Sequence, residues 1–173
     1  MITTVEALAL GFVNALAIPA QGLALVGLAL VAARDGPRQR RVAAIFLALG
    51  LCAGLSAIAA GTGETPAALL LAICAIASGV IAAMAIRSPA SVVYGLAVVT
   101  GVLIGLDSPP RVFSLRLAVA ILVATGIGAV AFFILVAEVL AATRGRWRDI
   151  GMRIAGSWIA ASAILALAAR TLR

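Results

Sequence analysis

The side chains of this chain that could do chemistry in an apolar setting are few, and they gather near one stretch. Asn14 and Gln21 lie seven residues apart, with Pro19 between them and Glu6 close to the same stripe. On a helix that spacing is almost two turns, so both amides share a face. A proline withholds one helix hydrogen bond, and two amides plus a freed carbonyl could receive a cation or small polar solute near the middle of a bilayer. The same amides can equally act as glue between helices, and the residues alone leave both readings open.

Glu138 is the one acid deep in a later apolar run. It stands six residues before Arg144, about 9 Å from a basic cluster on a helix. It can snorkel to that cluster as an arginine-paired anchor, or relay a proton or cation if it faces inward. Cys52 and Cys74 fit no zinc or thioredoxin spacing and read as reduced packing residues, because two thiolates would be costly to ionise in lipid. The chain has no His, and it carries no Walker loop, GxGxxG, HExxH or GxSxG. No metal ligand set, no cofactor and no enzymatic activity is therefore expected.

The elements that must position these groups follow from hydropathy. Of 173 residues 65% are hydrophobic and 11% charged, with a mean hydropathy of +1.25. The continuous Ala/Leu/Val/Ile runs exclude the alternating pattern of a barrel, and lipid leaves only helices otherwise. An all-α integral membrane bundle of six spans is predicted: Val5–Ala33, Val42–Ala60, Pro66–Ile86, Ala90–Leu106, Leu115–Ala142 and Ile150–Ala169. The fourth is the shortest. Almost nothing remains outside, so residues 1–173 read as one transmembrane domain. The first run is too long for a leader's apolar core and lacks a basic flank, which predicts a retained first span.

All thirteen basic residues are Arg. Nine, including Arg34, Arg38, Arg40, Arg41, Arg87, Arg144 and Arg146, fall in the first, third and fifth loops, against four on the opposite side. The positive-inside rule then places both termini outside. The formal charge of +7 reads as a topology signal and not as a nucleic-acid surface. Gly50–Gly54 and Gly101–Gly105 have the spacing that lets membrane helices approach closely, and they are expected to close the bundle on itself, with a homo-oligomer or a partner membrane subunit left open.

The segment from Gly11 to Leu28, beginning Gly11-Phe12-Val13-Asn14 and containing Pro19-Ala20-Gln21-Gly22, resembles the first span of the HupE/UreJ family of hydrogenase and urease accessory proteins. The likeness continues through Ala77-Ser78-Gly79-Val80 and ends at Arg153-Ile154-Ala155-Gly156-Ser157-Trp158-Ile159-Ala160-Ala161. Six spans with both ends outside are what this resemblance implies, along with nickel or cobalt permease activity. The family's three metal-binding positions fall on Asn14, Ala20 and Gln21, its acid of the third span near Ala72, and its later His-Gly pattern on Ile104-Gly105-Leu106-Asp107. The usual nickel site is thus degenerate, since amides hold nickel far more weakly than imidazole or carboxylate.

The expected function is a divergent permease of the bacterial inner membrane. It would pass a divalent metal ion, another cation or a small solute along Asn14, Pro19, Gln21 and Glu138. The alternative is a non-transporting membrane scaffold or assembly subunit in which those polar residues serve packing.

Overall fold

The computed structural model describes residues 19–34, 36–59, 67–85, 88–108, 115–143 and 146–171. They form six helices: α1 (Pro19–Ala33), α2 (Pro37–Ala59), α3 (Ala67–Met84), α4 (Ala90–Leu106), α5 (Leu115–Ala142) and α6 (Arg146–Thr171). Four of them, α2, α3, α5 and α6, are long and apolar enough to cross a membrane. Of the other two, α1 with 15 residues and α4 with 17 reach about 22 and 26 Å against a 30 Å hydrocarbon layer; α4 has the bounds expected of the fourth span, and the expected first span, Val5–Ala33, is described only from Pro19. Helix α1 begins at Pro19, a residue suited to a first helical position. Residues 1–18, and with them Asn14 and Glu6, lie outside the described residues.

The bundle's outer surface is apolar. Trp158 and Leu165 are each 70% exposed, and Ile45, Leu49, Val123, Ile127 and Leu135 also point outward. Water does not tolerate so continuous a surface of this kind, and lipid does. The chain is a multi-pass membrane protein.

Helix α1 is the hub. It touches all five other helices, and ten of its 15 residues are buried. A helix hydrophobic all round is a buried helix, which accounts for its central place. Around it stand two close pairs. Parallel α2 and α4 meet through glycines: a methyl group on Gly50 would strike the Val98 carbonyl, and one on Gly101 the Leu47 carbonyl. Phe46 of α2 also stacks on Tyr94 of α4, with ring centroids 5.2 Å apart. Antiparallel α3 and α6 meet at Gly79 and Gly156, where an added methyl group on either would come within 2.8 Å of the other's backbone. The expected glycine motifs thus close the bundle internally.

Some helix boundaries differ from the sequence reading. Helix α2 starts five residues before Val42, at Pro37, so Arg38, Gln39, Arg40 and Arg41 are helical. Helix α6 starts at Arg146, not Ile150. Helix α3 stops at Met84, and Ala85 follows with a left-handed φ of 58°. The third helix also borrows capping from its neighbours. The Arg34 Nη2 donates to the Ala82 carbonyl at 2.9 Å, and the Arg153 Nε to the Ala83 carbonyl at 3.2 Å. Cations at a helix C-terminus satisfy its last carbonyls and its dipole together.

Candidate functional site

The polar side chains that reach the interior are Gln21, Ser78, Thr100, Ser108 and Thr125, among the described residues. Gln21 sits in the first turn of α1 and is fully buried. Its Nε2 donates to the Asp107 Oδ2 at 2.9 Å. Asp107 is the C-cap of α4 and is half-buried; its own N–H donates to the Leu103 carbonyl at 2.9 Å, which fixes the turn that presents the carboxylate. Ser108 steadies the same turn by donating its Oγ to the Ile104 carbonyl at 2.8 Å. The carboxylate thereby faces the positive, N-terminal end of α1.

The Gln21 Oε1 is buried and accepts no hydrogen bond among the described residues. An unpaired buried acceptor costs about 1–3 kcal/mol, so it is the atom here with most to gain from a cation or donor. The Thr125 Oγ1 of α5 is a second buried oxygen without a partner. Gln21 precedes Arg34 by thirteen residues, and Thr125 precedes Glu138 by thirteen, so both lie about 20 Å from the arginine-rich end of the bundle on parallel helices. Further along α1, Gly27 makes room for the Ser78 hydroxyl, and a methyl group in its place would collide with the Ser78 Oγ.

The other sequence-derived candidates fall elsewhere. Glu138 is on the outside of α5, 54% exposed, and it meets Arg40 of α2: Nε to Oε1 and Nη2 to Oε2, each 3.2 Å. The paired-anchor reading describes this geometry, with Arg40 of α2 as the partner at 3.2 Å where the sequence pointed to Arg144. Gln21 and Glu138 therefore stand about 20 Å apart along the bundle, and one compact site cannot contain both. Pro19 is exposed at the start of α1. Asn14 lies outside the described residues. Cys74 is buried as expected of a packing residue, whereas Cys52 faces outward into a groove between α2 and α5, because the inner face of α2 at that level is taken by Leu51 and Gly54.

Asp107 is the residue that sequence reasoning missed as a partner for the amide. Its signal was available: it is the lone acid between the apolar run ending at Leu106 and the pair Pro109-Pro110. Nothing in one dimension joined it to Gln21, 86 positions away. Among the described residues no group of three or more His, Cys, Asp or Glu is assembled as a metal cluster. No family model matches the chain, and no curated protein or solved structure matches it either.

Proposed function

We propose that this protein is a small cation permease of the bacterial inner membrane, a divergent relative of the HupE/UreJ proteins, in which Gln21 and Asp107 form a polar station at one end of the central helix. The observation that carries this reading is the Gln21 amide: fully buried, donating to a carboxylate, with its oxygen unpaired. One carboxylate and one carbonyl-type oxygen are hard ligands, better suited to a hydrated or alkali-type cation than to nickel. Thr125 lies at the depth of the station, and the buried hydroxyls of Thr100 and Ser78 lie further toward the arginine-rich end. The arginine-rich end carries Arg34, Arg38, Arg40, Arg41 and Arg153, and in this reading it faces the cytoplasm.

The second reading is the non-transporting scaffold, favoured by the fact that the Gln21 Nε2 is already engaged within the bundle. Uptake by the full chain in liposomes separates them. Sodium, potassium, magnesium and nickel are offered in turn, to wild type and to Asp107→Asn. A permease gives cation uptake that falls at least about tenfold in the variant, the size expected when a charged ligand of the path is neutralised. Wild-type liposomes no leakier than empty ones, or a variant with unchanged uptake, would leave the scaffold standing.

Orientation has its own check. In a chain with Cys52 and Cys74 replaced by Ala, Gln39→Cys should resist an impermeant thiol reagent in intact cells while Thr62→Cys reacts. The reverse pattern overturns the assignment of sides.

A further inference from the structure

We infer that the groove between α2 and α5 is a binding site for an anionic phospholipid, one acyl chain lying in the groove and the phosphate held by Arg41 with Arg38. The groove encloses about 470 Å³ and is lined by Ala48, Cys52 and Leu55 of α2 and by Ile127, Val130 and Ile134 of α5. Its walls are apolar from end to end, so a hydrocarbon chain fits its chemistry and a polar solute does not.

Length and charge select the occupant. The Arg40–Glu138 ion pair bridges the same two helices at one end of the groove. From Glu138 the groove starts four residues away, at Ile134, and its far wall, Val123, is fifteen residues away. Those offsets are about 6 and 22 Å, and half of a bilayer measured through its headgroups is about 20–22 Å. With the ion pair at headgroup depth, the groove therefore ends near the midplane, as one leaflet's acyl chain does. Arg41 stands on the groove's own stripe of α2, since positions 41, 48, 52 and 55 are separated by seven, four and three residues. Arg41 is exposed, and so is Arg38 one turn earlier. Among the described residues the three arginines 38, 40 and 41 stand against one acid at the mouth, Glu138, a balance of +2 that favours an anionic headgroup over a zwitterionic one.

The inference does not depend on transport, and its test does not measure transport. The full chain in mild detergent is offered phosphatidylglycerol or phosphatidylcholine, and retained lipid is counted by native mass spectrometry. One phosphatidylglycerol should be retained in preference to phosphatidylcholine. Arg41→Gln should lower that preference about fivefold, the effect of one basic residue at a membrane surface. Ala131→Trp, on an exposed wall position, should plug the groove and abolish retention of both lipids while the lipid-free melting temperature stays put. Retention by Ala131→Trp equal to wild type overturns the site. So does equal retention of the two lipids by wild type. A third result that overturns it is efficient Cys52–Cys52 cross-linking in native membranes, which would show a second copy of the chain seated on this face.

Discussion

At one end of α1 a single buried amide holds Asp107 and keeps an unpaired oxygen in the interior, whereas at the other end arginines answer one another's surroundings. There Arg34 and Arg153 cap α3, and Arg40 closes a two-point ion pair with Glu138. The first arrangement is inward and neutralises a carboxylate with a lone amide; the second is peripheral and pairs full charges with carbonyls and a carboxylate. Incomplete satisfaction is what leaves a group free to take a ligand, because a fully paired polar group would have to give up a bond first. The arginine-rich end accordingly anchors the helices and turns Arg38 and Arg41 outward, and the Gln21–Asp107 end is where a ligand inside the bundle would meet an unpaired oxygen.

The glycine-packed helix pairs, and neither end, hold the bundle together. Gly101→Leu should therefore have the largest effect of all, destabilising by about 3 kcal/mol or more, because the new side chain meets the Leu47 carbonyl and lies 2.8 Å from the Leu51 nitrogen at its first carbon. Melting in detergent reads it directly. Wild-type melting in this variant would mean that the helix pairs are not the scaffold.

Next comes the station itself. Replacing both Gln21 and Asp107 by Leu removes donor, acceptor and orphaned oxygen together, so stability should move by less than about 1 kcal/mol in either direction. Gln21→Leu alone leaves the carboxylate without its amide, and it should cost more than the pair does. If the single variant is the milder one, the Asp107 carboxylate does not depend on the Gln21 amide.

A smaller effect is expected at the far end. A double-mutant cycle on Arg40 and Glu138 should return about 0.2–1 kcal/mol, and added salt should shrink it, since the carboxylate is 54% exposed. A coupling of several kcal/mol would make this end a second buried site and erase the contrast. Similar in size and opposite in sign is Ala85→Gly, which relieves a left-handed alanine after α3 and should stabilise by about 0.5–1 kcal/mol.

Much of this was legible in advance. The bounds of α4 and α5, Ala90–Leu106 and Leu115–Ala142, coincide with apolar runs ended by Asp107-Ser108-Pro109 and by Thr143-Arg144. The role of Gly50 and Gly101 followed from spacing alone. Glu138 was readable as arginine-paired, but its partner was not, because Arg144 is near in sequence and Arg40 is near in space. Arg38 to Arg41 looked like loop because charge ordinarily ends a span, yet Pro37 starts a helix that carries those charges beyond the apolar stretch.

Hydropathy and the distribution of arginine decide, without any folding, that this chain lives in a membrane as helices with one basic end. Both are sums along the chain, and transfer into lipid depends on such sums. Which polar group meets which is another kind of fact. It depends on the helix faces that the glycine contacts bring together, and those contacts join residues tens of positions apart. Only the tertiary structure could therefore place the Gln21 amide on Asp107, send Glu138 to the outside, and leave a lipid-sized groove beside Arg41.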